Sequence, residues 1–549
     1  MRGTLLAAVL ILLVGAGAIV VPRLREQGGA SPGSCTATVR AGGDVTRAIF
    51  DASEGSTVCL ASGTHRPFKT ARARPGVTVR GAGRDTTTIQ VERGNGIEVA
   101  EVERFTLTGV TVRGGSPAGI FISRARDIAL EEMRVEAAAI GVHAENGVNL
   151  RLHQVRIART TDFALLVRRG ATATVQGLEV VEPRGIGIGA VDEPGVVTLT
   201  DVDITRGSGS RGEGMVLNGY QRFALANVTV RGGDPAGIYV ARARELSLRA
   251  VRVEKAKFGL HLDENAVATL DGVDLVGSTG VGLLIQRGAT LDGLRVRIQD
   301  TNGTGLSAIN GAGLVSLRES ELTKVAAAGI FAGVAGCEDL PPASLEVPDC
   351  FLKDPPSQIS TIRVRLERVT MADTQGPCLV FFPGVQADVR ASRFTRCELT
   401  GLFAWGATAD VADTVFEDNA EHALEYRAYP DPRKPVLAVA SGTIENSVVR
   451  NTRPLQGEIL GALGPGPVLG GGILAQGSRL VLRNNEITGN RDIGISFVNR
   501  SSGEVTGNRI QNNGNYGVCL LPDAQVQLRD NVVTGNRSDA LAVCGGQPR

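Results

Sequence analysis

Aromatic side chains are scarce in this chain: they make up 4% of 549 residues, with a single Trp and five Tyr. So few rings cannot line a long sugar-binding groove with stacking platforms. Lysine is nearly as rare, with six in all, so the positive charge is almost wholly arginine. Lys plus Arg (58) nearly cancels Asp plus Glu (57), and a balanced chain lacks the basic field of a non-specific nucleic-acid binder. None of the eight cysteines has C-x-x-C spacing and no histidine cluster accompanies them, which argues against a zinc site. No acidic cluster recurs at a spacing suited to calcium, so neither metal nor cofactor is expected. No run beyond the N-terminus is long enough for an amphipathic helix.

What is present begins with an apolar segment, Leu5 to Val21, flanked by Arg2 and by Pro22, Arg23 and Arg25. It sits at the short limit of a membrane span and the long limit of a signal-peptide core. Ala16 and Ala18 permit cleavage, but Ile19, Val20 and Val21 are an awkward mature start, and arginines on both flanks leave orientation open. Cys35 lies too far downstream to serve as a lipoprotein cysteine. Residues 1–30 therefore read as a signal peptide or an uncleaved membrane anchor, the chain's one expected membrane contact. Residues 31–549 read as a single exported domain. The cysteines fall as sequence neighbours, Cys35/Cys59, Cys337/Cys350, Cys378/Cys397 and Cys519/Cys544. An even count in an exported chain reads as disulfides.

A small residue followed by apolar–any–apolar recurs along the chain. It appears as GIEV at Gly96, GIFI at Gly119, GVHA at Gly141, ALLV at Ala164, GIYV at Gly237, GLHL at Gly259, GLLI at Gly282 and, further on, GVCL at Gly517. Spacings are mostly 22 to 25 residues, with further alternating stretches between, such as FTLTGVTV from Phe105. Period-two alternation means strands with one buried face. A unit this short cannot bury its apolar face alone, but stacking successive units lines up Val, Ile and Leu as internal columns. The pattern predicts an all-β, right-handed parallel β-helix of roughly eighteen coils, about 85 Å long at about 4.8 Å per coil. In the last coils Asn485, Asn508 and Asn531 recur every 23 residues, as do Asn490, Asn513 and Asn536. Asn tolerates left-handed turns and its amide can bond the next copy, so these predict a structural ladder at one corner.

With these motifs, residues 35–549 resemble the right-handed parallel β-helix superfamily, which includes pectate lyases, polygalacturonases and alginate epimerases. GGDVTRAIFDASEGSTVCLASGTHR from Gly42, followed by PGVTVRGAGRDTTTI from Pro75, is similar to the capping helix and first coil of that family. The resemblance implies a short N-terminal helix shielding the open end of the stack. Two interruptions, residues 333–361 and 426–471, read as an extra coil plus a loop each, and long loops on rigid scaffolds tend to carry function.

VRGGSPAGIFISRAR from Val112 reappears as VRGGDPAGIYVARAR from Val230, an offset of 118 residues. The match extends over two five-coil blocks, 96–202 and 214–320. Tandem duplication explains it without function, since every coil contacts only its neighbours. A functional reading starts from pleat geometry: in G-I-x-V the x residue faces out. The outward ladder runs Glu98, Phe121, His143, Leu166, Gly189 in the first copy and Val216, Tyr239, His261, Leu284, Ser307 in the second. Each copy places an aromatic beside a histidine on neighbouring strands. Arg124 and Arg126, or Arg242 and Arg244, follow at the turn, and Glu145 or Asp263 lies just past the histidine.

Tyr, His and Arg together suit uronate chemistry: arginine neutralises the carboxylate, histidine takes the C5 proton and tyrosine returns one. The candidate catalytic residues are Tyr239, His261, Arg242 and Arg244, because Phe121 cannot transfer a proton. Asp263, Phe331, Phe403 and Trp405 are candidate substrate contacts, the three rings forming either a small platform or filler at a strand edge. The family's catalytic strings are missing. N-T-D and G-H-G do not occur, and the nearest approaches to the epimerase D-P-H include Asp234-Pro235-Ala236 and Asp431-Pro432-Arg433. Two functions stay open. One is a non-catalytic surface or periplasmic scaffold, or a polysaccharide-binding protein. The other is a polysaccharide lyase or C5-epimerase acting on uronates.

Overall fold

The structure is a computed structural model that describes residues 34–207, 211–219, 221–333, 361–428, 438–454, 470–538 and 542–543. Its regular secondary structure is nearly all strand. Each coil lays down up to three short strands, and each strand pairs in parallel with its counterpart one coil away. The first face of the column holds the G-x-x-x strands, nineteen among the described residues, running from Phe68–Lys69 through Ala118–Ser123, Ala236–Ala241 and His422–Arg427 to Ala542–Val543. At about 4.8 Å per step, nineteen rungs make a column about 86 Å long.

The second and third faces frequently form one bent strand. Asn149–Ala158 and Glu245–Glu254 are examples, turned by a single left-handed residue at Gln154 (φ 53°) and Ala250 (φ 51°). A side chain in that region is disfavoured, usually by about a kilocalorie per mole. Stacking the same bend on every coil offsets this, because each bend completes the backbone ladder of its neighbours.

The period-two pattern does what it predicts. Ile120, Val142, Leu165, Ile188, Met215, Ile238, Leu260 and Leu283 form one fully buried inward column. The small residue opening each first-face strand has a packing reason. A Cβ on Gly237 would lie 2.3 Å from Val253 Cγ1 and 2.9 Å from the Gly259 carbonyl oxygen, so at this position the turn into the strand closes only around a glycine.

At the N-terminal end a helix spans Val45–Asp51, with Asp44 as its N-cap accepting the Arg47 N–H at 2.9 Å. Its Val45 and Ile49 are buried in the core. Disulfides join Cys35 to Cys59 and Cys378 to Cys397, and Cys519 is disulfide-bonded as well. Cys337, Cys350 and Cys544 lie outside the described residues, as does the apolar N-terminal segment. Among the described residues no helix is long and apolar enough to cross a membrane.

Three details differ from the sequence reading. The asparagine ladders occupy two corners rather than one, and the ladder residues are not the left-handed ones. Asn484 (φ 53°) and Asn512 (φ 56°) make the bend, while Asn485 and Asn513, the next residues, point inward and are 2% exposed. Asn508 Oδ1 accepts from the Asn485 backbone N–H at 2.9 Å, and Asn531 Oδ1 does the same for Asn508. The interruptions add no extra coil. His422–Arg427 pairs directly with Gly471–Gln476, and Ile330–Gly333 directly with Leu379–Phe381. The added residues lie between strands of single coils.

Candidate functional site

The outward ladder of the first face stands in the expected register. Val216 pairs with Tyr239, Tyr239 with His261, His261 with Leu284 and Leu284 with Ser307. In the first copy Glu98, Phe121, His143 and Leu166 follow one another likewise. The Tyr239 and His261 rings meet edge to face, with centroids 5.0 Å apart at 71°. Phe121 and His143 repeat this at 5.1 Å and 72°. Phe258 closes the other side of His261 at 5.9 Å.

Asp263 is the hub of the second-copy cluster. It is 1% exposed and accepts from the Tyr239 hydroxyl at 3.2 Å, from the Glu264 backbone N–H at 2.8 Å and from both Nε and a terminal nitrogen of Arg287. Burial pushes its carboxyl up, but the Arg287 guanidinium and the Glu264 N–H outweigh that and hold it below the ordinary carboxylate range. Arg287 is raised in turn by its bonds to Asp263. Tyr239 is pushed up to about 12, first by burial and then by the neighbouring Asp263 charge. Burial also lowers His261, against the smaller opposing pull of Asp263. The imidazole is therefore neutral near pH 7. Its Nε2 lies 3.0 Å from Gln286 Nε2 and 3.8 Å from Asp263 Oδ2. The amide donating to that nitrogen would leave the ring proton on Nδ1.

Sequence reasoning had placed Arg242 and Arg244 here. Arg242 instead spans the rungs at the edge of the cluster, donating to Asn218 Oδ1 at 2.7 and 2.9 Å and pairing with Glu264 at 3.5 Å. Arg244 is exposed past the corner. The arginine that engages the cluster is Arg287, one coil further on. Its signal was readable, since RGAT at Arg169 and RGAT at Arg287 belong to the same repeat. In the first copy Glu145 takes the hub position, with Arg168 at 2.8 Å and Arg169 at 3.4 Å, and His143 at 3.4 Å.

The three candidate platform residues sit further along the same face. Phe331 is 2% exposed, inside an outer apolar cluster with Leu284, Ile309, Val380 and Phe382. Phe403 and Trp405 are half-buried against it, 6.0 Å apart, and Trp405 Nε1 donates to the Ala428 carbonyl at 3.2 Å. Just beyond, Glu421, His422 and Glu425 bring three potential metal-ligand atoms within 4.8 Å of one another. Arg427 already supplies the counter-charge there, paired with Glu425. Burial and that guanidinium together lower His422 to about 3. A buried ion-pair cluster accounts for these residues.

Residues 360–548 match the family model described as a right-handed β-helix region. No curated protein matches the chain. Among solved structures, the chain is similar to the catalytic unit of a thermostable α-1,3-glucanase from Streptomyces thermodiastaticus, at 12% identity over 93% of this chain and 70% of that one, TM-score 0.28. An alginate lyase from a Paenibacillus species matches at 12% identity over 61% and 96%, TM-score 0.25. A mannuronan C-5 epimerase module from Azotobacter vinelandii matches at 12% over 91% and 97%, TM-score 0.20. Scores this low carry no argument about chemistry. The stacked parallel coils and the family match make this chain a right-handed parallel β-helix protein.

Proposed function

We propose that this right-handed β-helix is an exported, non-catalytic polysaccharide-binding protein whose binding face lies on the second copy of the duplicated block. Polysaccharide as the ligand rests on the resemblance of the repeat to glycan-handling β-helices. Export is supported by the disulfides among the described residues, which belong to oxidising compartments. Residues 1–30 would direct that export and either leave with cleavage or tether the domain.

The non-catalytic reading rests on one observation: the groups a uronate enzyme needs free are bound to one another. The Tyr239 hydroxyl donates to Asp263, and Arg287, whose charge acts on both Tyr239 and His261, is held by the same carboxylate. A phenol raised to about 12 is a poorer proton donor than an ordinary tyrosine. His261 has no hydrogen-bonded carboxylate to strengthen it, since Asp263 Oδ2 stands 3.8 Å away.

The edge-to-face contact of Tyr239 on His261 favours the second reading, a lyase or C5-epimerase in which substrate displaces Asp263 from the tyrosine. Incubating the protein with alginate, pectate and glycosaminoglycans separates the two. A binder retains polymer without forming unsaturated products or exchanging C5 protons. Turnover of any of them establishes the enzyme instead.

A further inference from the structure

The duplicated block contains its own control. At the turn leading into the strand that carries Tyr239, an open cleft of about 580 Å³ is lined by Arg206, Arg231, Lys255, Lys257, Asp234 and Glu254. Two backbone anchors of the first copy recur around it, although Arg206 stands six residues before Gly212 where Val91 stands three before Gly94. Gly212 and Asp234 bridge the turn as Gly94 and Ser116 do there, and Arg206 N donates to the Arg231 carbonyl as Val91 N donates to that of Arg113. The side chains do not repeat. The first copy carries Val91, Ala137 and Ala139 where the second carries Arg206, Lys255 and Lys257. Two of only six lysines in the chain thus stand two residues apart on one turn.

These cations differ in their commitments. Arg206 donates to the carbonyls of Gly185, Arg211 and Glu213 at 2.6, 3.0 and 2.9 Å, so it shapes the turn. Arg231 is paired with Asp203 at 2.7 Å and Glu254 at 3.4 Å. Lys255 and Lys257 are exposed, and among the described residues neither enters an ion pair. Lys257 Nζ lies 5.6 Å from the Phe258 ring centre, and Phe258 in turn touches His261. A chain of contacts therefore runs from Lys257 through Phe258 to His261 and Tyr239.

We propose that this cleft is a subsite for the anionic group of an acidic polysaccharide, a carboxylate or a sulfate, held by Lys255 and Lys257. The proposal rests on the polysaccharide-binding reading above and narrows it to acidic glycans bound at the second copy. A glycan fits better than a nucleic acid, because one cleft with four cations and two carboxylates offers too few phosphate contacts for a duplex track.

The test compares binding of polygalacturonate, alginate, heparin, a neutral glucan and duplex DNA to the intact chain and to Lys255→Ala/Lys257→Ala. That variant restores the first copy's residues. Ala137 sits at φ 54° where Lys255 sits at 55°, so the backbone tolerates the change. Lys69→Ala/Lys324→Ala makes the same charge change elsewhere. We expect the cleft variant to bind the preferred acidic polymer about tenfold more weakly at low salt, with the slope of log affinity against log salt reduced by up to about two. The control variant should stay within about twofold of wild type. Polygalacturonate and alginate carry carboxylate alone, so binding to them assigns a carboxylate, and binding to heparin without them assigns a requirement for sulfate.

Equal losses in both variants, or none in the cleft variant, overturn the subsite while leaving polysaccharide binding intact. Wild-type binding to neutral glucan alone does the same. DNA bound as tightly as glycan overturns the ligand class, and no binding to any polymer overturns both readings.

Discussion

Tyr239→Phe changes one atom in the cluster and can be costed from the structure. Phe121 already occupies the equivalent rung with the same ring geometry against His143, 5.1 Å against 5.0 Å, so no packing is lost. The loss is one hydrogen bond, the Tyr239 hydroxyl to Asp263 at 3.2 Å. Asp263 keeps Arg287 and the Glu264 N–H, so no buried charge is left bare. The expected cost is about 1 kcal/mol, a shift in thermal midpoint of no more than about 2 to 4 °C for a chain this long. Urea or thermal unfolding measures it, with glycan binding and turnover assayed alongside. Binding should be nearly unchanged. A loss above about 3 kcal/mol would show that Tyr239 holds the cluster together in a way the hydrogen bonds do not reveal. A wild-type turnover that falls a hundredfold or more in the variant would show the hydroxyl to be a general acid and refute the non-catalytic account.

Other consequences are equally open to measurement. Asn508→Ala removes an amide that accepts from Asn485 and donates to the Leu482 carbonyl and to Asn531 at a site 1% exposed. It should cost about 3 kcal/mol and speed amide exchange in the last coils far more than around Tyr239, because a solenoid transmits damage only to neighbours. His422, lowered to about 3 from 6.5, binds its proton more readily in the unfolded chain. Stability should therefore fall as pH drops below about 6.5, with this residue contributing a loss of about 2 kcal/mol at about pH 5. His422→Gln should flatten that part of the pH profile, and an unaltered slope in the variant would place the acid sensitivity elsewhere.

Much of this could be read in the sequence because a β-helix writes its three-dimensional neighbours at a fixed sequence interval. The pairing of Tyr239 with His261, and of Asn485 with Asn508 and Asn531, follows from that interval alone. Three things did not follow. Corner loops and extra coils lengthen the spacing between landmarks alike, so residues 426–471 read as an added coil until the pairing of His422–Arg427 with Gly471–Gln476 showed otherwise. Arg287 was passed over for Arg242 and Arg244 because a long side chain reaches to the next rung, and an arginine near in sequence can face another carboxylate. The cationic cleft draws its residues from separate coils, so no local motif marks it. Comparing the two copies position by position was the signal, and Val91/Arg206, Ala137/Lys255 and Ala139/Lys257 carry it.

The central claim, a binder of polysaccharide that does no chemistry on it, is tested most directly by one NMR titration of a uronate oligosaccharide with the wild-type protein in deuterated buffer. The account predicts saturation transfer from protein to sugar, with the C5 proton signal undiminished and no olefinic proton appearing over days. Loss of the C5 signal or a new olefinic resonance would contradict it.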